Sequence, residues 1–442
     1  MISAIKRIAP AFILLVISIS IIFYQFPHLP KNLSVDEVEF AKLALSLKNS
    51  PYVPYSTLAT GHSTLYFYTI LASFNTFGIN NFALRFPSAL FSVLSVLVFY
   101  FLCKLLFNSK LPTILYQLLP LILSILFTTS RWYFNFARFS FEATFLIFLE
   151  LVSLYFIFSW LVHPQGGKLK NTLLILTGVF AGLAYNSYTP GRIFVLVPLF
   201  VILITFISNK KMHFKNLFNR SNFLNFINFK TLLTFLIPFI IIIIPLTIYI
   251  SLHKDDRFDK QFYPKNTEMK LSEKINFFTT NIIYIAKEFN IRGDINGRHN
   301  YPGKPALNPI LGLLFIAGLI LTIKSVFSKD SSEKSFNKYV NITFLIYFII
   351  ALIPATLTYP WENPNMLRTF TVIPSIIYFV GNSIEWIHTR FIKKIKILPL
   401  FILVFLTISC VYEIRTYFVY QSQVFKDAFD ARGNLQNNLK IK

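Results

Sequence analysis

Long apolar runs alternate with short polar connections along the whole chain. The runs fall at about 8–26, 83–106, 112–129, 141–161, 172–187, 191–208, 231–251, 307–326, 339–357, 369–387 and 398–416. Most approach or exceed the roughly 18–20 residues that carry a helix across about 30 Å of hydrocarbon. Backbone in lipid has to satisfy its own hydrogen bonds, so such runs are helices rather than open strands. The pattern predicts an all-α polytopic membrane protein with about eleven transmembrane helices. The first run follows Lys6 and Arg7 and exits through Tyr24-Gln25-Phe26-Pro27, with no small-residue cleavage site, which reads as an uncleaved first span.

Charge sets the orientation. The chain carries a formal net charge of +23, yet only 14% of its residues are charged and 55% are hydrophobic. Its cations gather in alternate connections: Lys104 and Lys110; Lys168 and Lys170; Lys210, Lys211, Lys215 and Arg220; Lys334 and Lys338; Arg390, Lys393, Lys394 and Lys396. With these on the cytoplasmic side, the positive-inside rule is met throughout. The basic surplus then points to anionic lipid headgroups as partners, not to nucleic acid. Cys103 and Cys410 both lie in or beside apolar runs and imply no disulfide framework.

In this orientation two long segments face outward in a multi-pass protein of the cell membrane. One runs from residue 27 to about 81, between the first two spans; the other runs from 252 to about 308. The organisation is therefore a transmembrane module over 1–251 with outer loop 27–81, a second outer loop over 252–306, and C-terminal helices with a tail over 307–442. Within the first loop, Ser34 followed three residues later by Glu37 forms a capping box, and Leu33 with Val38 fits a hydrophobic staple. A helix starting there and ending before Pro51 is too short to span and should lie along the interface. The apolar stretch from Thr64 to Phe77 is also short and predicts a second interfacial or re-entrant helix.

The polar residues at the outer rim supply the candidate chemistry. Asp36 and Glu37 are adjacent carboxylates at a helix start; one is suited to accept a proton, though acids there also complement the helix dipole. Arg131, Arg138 and Glu142 flank the span that begins near Phe141, and Arg138 and Glu142 are spaced to pair on one helical face. Glu142 and Glu150 lie inside an apolar run, where a carboxylate normally faces a partner or a cavity. The most polar stretch, Arg292 to Pro305, offers Arg298, His299 and Lys304 as cations for a phosphate. Arg192 and Arg368 at other outer edges fit the same purpose, or equally a snorkelling anchor. His62, before the short helix, is by itself more in keeping with a structural role. No Walker loop, GxGxxG, HExxH or cysteine metal spacing occurs, and no soluble nucleotide-sugar domain is present.

The order of these features resembles a known family. Asp36-Glu37 is followed by Gly61-His62-Ser63-Thr64-Leu65-Tyr66, Phe77-Gly78, then Phe82-Ala83-Leu84-Arg85-Phe86-Pro87-Ser88-Ala89-Leu90. This is similar to the GT-C glycosyltransferases of family 39, the protein mannosyltransferase and aminoarabinose transferase type. Gly293-Asp294 and Arg298 to Pro305 resemble a stretch of bacterial members. One departure is Ser63-Thr64 in place of the usual Pro-Pro after the histidine.

The resemblance implies a GT-C bundle whose partners are a polyprenyl-phosphate sugar donor, membrane lipids and an acceptor that could be glycolipid, protein or wall polymer. It implies inverting transfer of a hexosyl or pentosyl group to a hydroxyl or similar nucleophile on the outer face. A lipid phosphate leaves without a proton donor, so such transfer needs one base and a cationic cradle. Asp36 fits the base, with Glu37 or Glu142 orienting it or the acceptor. Arg138, Arg298 and Arg368 fit the cradle, with His62, Arg85, Arg131 and His299 as further substrate-binding candidates. Some GT-C enzymes use a divalent metal, but nothing in the sequence specifies one. The competing class is a transporter or flippase for lipid-linked sugars, against which the lack of repeated halves counts.

Overall fold

The computed structural model describes residues 2–107, 114–163, 167–209, 229–253, 261–328, 335–392 and 394–440. The basic connections holding Lys110, Lys210, Lys211, Lys215, Arg220, Lys334 and Lys393 lie outside the described residues. Helices dominate. They are α1 (Ile2–Phe23), α2 (Val35–Ser46), α3 (Leu65–Phe77), α4 (Asn81–Leu106), α5 (Ile114–Thr129), α6 (Arg131–Phe136), α7 (Ala143–Val162), α8 (Lys168–Ser187) and α9 (Leu196–Asn209). The second half adds α10 (Phe229–Leu252), α11 (Leu271–Asn290), α12 (Pro309–Phe327), α13 (Ser335–Thr356), α14 (Ile373–Phe391), α15 (Leu398–Arg415), α16 (Ser422–Ala428) and α17 (Leu435–Leu439).

Among the described residues eight helical segments are long and apolar enough to cross a membrane, and two shorter apolar helices, Ala9–Phe23 and Gln117–Thr129, accompany them. The remaining predicted span lies in α8, a helix whose ends carry Lys168, Lys170, Asn186 and Ser187. Its close approach to α10 rests on small residues. A methyl group on Gly178 would stand 2.3 Å from the Phe235 carbonyl oxygen, and one on Gly182 would stand 2.9 Å from Ile242 Cβ. This small-xxx-small face lets two backbones touch, the usual device where lipid offers no hydrophobic drive between helices. Gly178→Val should therefore push α8 off α10 at a cost of about 1–3 kcal/mol, read as a lowered melting temperature of the detergent-purified protein.

The first loop folds as its sequence predicts, with one addition. Ser34 caps α2: its Oγ accepts the Glu37 N–H at 3.2 Å, and the Ser34 N–H donates to Glu37 Oε2 at 3.0 Å. Thr64 precedes α3, which ends at Gly78. Between them two short antiparallel strands, β1 (Tyr55–Ser56) and β2 (His62–Ser63), pair Ser56 with His62. These are the only strands among the described residues and leave the helical class unchanged; strands of two residues have no periodicity to read.

Two further elements exceed the sequence reading. The second long loop contains α11, a 20-residue amphipathic helix. The last span continues through a π-helical turn, Thr416–Gln421, into α16, so that helix runs from Leu398 to Ala428. The tail beyond folds back on the first loop: Leu33 and Ala431 exchange backbone hydrogen bonds at 3.2 and 2.9 Å, and the Leu435 N–H donates to Asn81 Oδ1 at 2.8 Å. Both long loops and the tail thus gather at one end of the bundle, joined there by the short connections around residues 130–140 and 358–368.

Candidate active site

Two buried arginines build the frame. Arg85, on α4, donates from Nε and Nη2 to both oxygens of Glu37 at 2.8 and 2.9 Å. Its remaining N–H groups donate to the carbonyls of Pro27, Pro30 and Asn32. Glu37 Oε1 also accepts the Ser140 N–H at 3.0 Å. A guanidinium has five donors, and here all five are engaged. Glu37 likewise accepts four hydrogen bonds, so neither residue has a group left for a substrate. Arg138 behaves the same way: it donates to Tyr417 Oη and to the carbonyls of Ile21, Ile22, Tyr24 and Leu29, with Tyr417 and Phe418 rings under its guanidinium. It satisfies the open carbonyls at the end of α1.

The structure places several of the expected site residues in the frame. Glu37 ties the start of α2 to Arg85 and to Ser140. Arg85 and Arg138 are buried clamps. Arg138 and Glu142 do not pair, because α6 ends at Phe136 and α7 starts only at Ala143, so no continuous helix carries the four-residue spacing. Arg131 neither snorkels nor faces an open rim: it is buried, donates to Asn300 Oδ1 and to the Pro305 carbonyl, and pairs with Glu413 at 3.4 Å. Burial pushes its pKa down, and the Glu413 carboxylate pulls it back. Asn135, from the same short helix, donates to the carbonyls of Arg298 and His299. Helix α6 therefore staples the 293–305 loop to the bundle.

Asp294 organises that loop from within. Its carboxylate accepts the N–H groups of Asn296 and Met366 and meets His299 Nδ1 at 2.8 Å. His299 is buried there, where the expectation was of a cation at an open rim. Beneath it Glu288, on α11, accepts from Thr369 Oγ1 at 2.5 Å, while Glu288 Oε2 is buried without a partner. Burial pushes Glu288 up to about 8, with the Asp294 charge adding to the rise and the Thr369 hydroxyl opposing it. The folded state then binds more protons than the unfolded chain between about pH 4.5 and 8, so stability falls as pH rises through that window. Glu288→Gln should remove this slope, giving a melting temperature a few degrees above wild type at pH 8 and little changed at pH 5.

The stapled loop delivers Arg298 to Asp36. The two lie 262 positions apart, yet Arg298 Nη1 stands 2.5 Å from Asp36 Oδ2, and the carboxylate is half exposed. Behind α2, His62 Nδ1 meets Glu142 Oε1 at 2.8 Å, and the imidazole stands edge-on to Phe40 of α2 and to Phe67. Glu142 Oε2 is buried with no hydrogen-bond partner. Glu150, deeper in α7, accepts from Tyr347 Oη at 2.6 Å. Arg368 pairs with Glu362 at the rim and keeps Nη1 without a hydrogen bond. Among the described residues no three His, Cys, Asp or Glu side chains gather as a metal site.

Residues 61–245 match the family described as dolichyl-phosphate-mannose-protein mannosyltransferase. The fold matches ArnT from Cupriavidus metallidurans bound to undecaprenyl phosphate at TM-score 0.54 and 11% identity, covering 97% of this chain and 77% of that one. It also matches the oligosaccharyltransferase AglB from Archaeoglobus fulgidus, in complex with an inhibitory peptide and a dolichol-phosphate, at TM-score 0.54 and 13% identity. That match covers 97% of this chain but only 57% of AglB. Comparison with curated proteins gives no match. The chain therefore shares its overall fold with ArnT and AglB.

Proposed function

We propose that this chain is an inverting glycosyltransferase that moves a sugar from a polyprenyl-phosphate donor to an acceptor hydroxyl on the outer face of a cell membrane. The observation that carries the reading is the Asp36–Arg298 pair: a carboxylate and a guanidinium at the exposed rim, brought together by two loops on a rigid frame. Asp36 takes the proton of the acceptor hydroxyl, and the oxygen attacks the anomeric carbon from the face opposite the phosphate. The carbon–oxygen bond to phosphate breaks, and the electron pair leaves with the lipid phosphate. Arg298 swings from the carboxylate to that phosphate, where negative charge develops. Arg368, whose Nη1 has no hydrogen bond, is the second cation of the cradle. The His62–Glu142 pair fixes the body of α2 and so the aim of Asp36.

Purified protein in proteoliposomes, given a panel of labelled polyprenyl-phosphate sugars and a membrane extract as acceptor, tests this reading. Turnover of one donor with inversion at the anomeric carbon is the expected outcome. Labelled lipid that crosses the bilayer with no glycosidic bond formed would make the protein a flippase.

A further inference from the structure

A second polar feature lies on the same end of the bundle, away from the Asp36–Arg298 pair. A cavity of about 390 Å³ opens between the end of α11, the first turns of α12 and the last turn of α15. The distance from the proposed transfer site follows from the long last helix. Gly297, beside Arg298, lies against Val424 and Ala428, whereas the cavity is lined by Tyr412, twelve residues earlier. At 1.5 Å per residue that separates them by about 18 Å along the helix.

The cavity has two chemistries. On its polar side Lys304 Nζ donates to Tyr412 Oη at 2.7 Å and stands 4.5 Å from the centre of that ring. An ammonium has three donors, so two remain beyond the one that Tyr412 orients. Asn290 lies over Gly312, where a methyl group would stand 2.0 Å from its Oδ1. The start of α12, a 19-residue helix capped by Asn308, adds its positive dipole end. No carboxylate lines the cavity; the adjacent Glu413 turns inward to Asn308 Nδ2 at 3.0 Å and to Arg131. On the apolar side stand Leu313 and Ile316, 72% and 43% exposed on the flank of a membrane-length helix. A water-soluble anion has no use for such a flank; a lipid does.

We propose that this cavity binds the anionic phosphate headgroup of a bilayer lipid, with Lys304 on the phosphate and the acyl chains lying over Leu313 and Ile316. The volume accommodates a headgroup and not a whole lipid, which suits a site open to the bilayer. The site is independent of the transfer reaction and gives the protein a resident lipid in the leaflet on the Asp36 side.

Native mass spectrometry of the full chain, titrated with phosphatidylglycerol or phosphatidylcholine, tests the assignment. Wild type should retain one phosphatidylglycerol about tenfold more tightly than phosphatidylcholine, the scale of one charge-assisted contact. Lys304→Gln should lose that preference, and Lys304→Arg should keep it. Ile316→Trp, a change on the exposed flank that the fold tolerates, should lose the bound lipid of either kind while its melting temperature is maintained. Arg298→Gln should bind as wild type does. Unchanged phosphatidylglycerol retention in both Lys304→Gln and Ile316→Trp would overturn the proposal. So would displacement by millimolar inorganic phosphate, which would make it a free-anion site, or loss of the lipid in Arg298→Gln, which would merge it with the transfer site.

Discussion

Asp36→Asn is expected to reduce sugar transfer by roughly a hundredfold to ten-thousandfold, the usual contribution of a positioned general base. The amide keeps the size of the side chain and can still accept a hydrogen bond from Arg298, but it cannot take a proton. The fold should be unaffected. Asp36 is half exposed and contacts the rest of the molecule through Arg298, and exposed ion pairs contribute little to stability. Expression, monodispersity and melting temperature of the variant should therefore match wild type while release of polyprenyl phosphate from a labelled donor collapses. Full activity in a well-folded Asp36→Asn protein would remove the proposed base.

Arg85→Met is expected to have the opposite signature, a loss of folded protein. The substitution would leave Glu37 buried with its charge unpaired and would orphan the carbonyls of Pro27, Pro30 and Asn32 at the same time. Breaking one side of such a buried pair costs roughly 3–5 kcal/mol. Arg85→Lys should rescue little, because a point-like ammonium cannot meet a carboxylate and three carbonyls with five directed donors. The measurement is the yield of monodisperse protein together with its melting temperature in detergent. A soluble, wild-type-like Arg85→Met protein that lacked only donor binding would return Arg85 to the substrate.

These two residues show what the sequence disclosed and what it withheld. The class of protein was legible, because apolar runs of membrane length have one cheap solution in lipid. The start of α2 was legible too, since Ser34 and Glu37 form a local motif with a local cause. Asp36 was named from the same three letters, and its cation Arg298 came from the most polar stretch of the chain. What could not be read was which charged residue is consumed by the frame. Arg85, Arg131, Arg138 and Arg298 are all cations of the outer segments, yet three are buried against protein partners and the fourth is at the rim. Their partners are mostly backbone carbonyls of distant segments, and a carbonyl has no residue identity to find. Helix α11 did carry a signal: Leu271, Ile275, Phe278 and Ile282 recur at helical spacing, and all four are exposed on one face. Its polar flanks, Lys265 to Lys270 and Arg292 onward, mask that period within a segment that is hydrophilic at both ends. The folding of the tail onto Leu33 and Asn81 depends on backbone pairing and had no pattern to announce it.

In the proposed reaction one ion pair divides its labour, Asp36 for the proton and Arg298 for the phosphate. Binding of a labelled polyprenyl phosphate to the two single variants measures that division without requiring a known acceptor. Asp36→Asn should bind the lipid at least as tightly as wild type, because the guanidinium no longer has a carboxylate to neutralise it. Arg298→Gln should bind it about tenfold more weakly. Equal affinity in wild type and Arg298→Gln, or lipid binding lost with Asp36→Asn, would contradict the assignment.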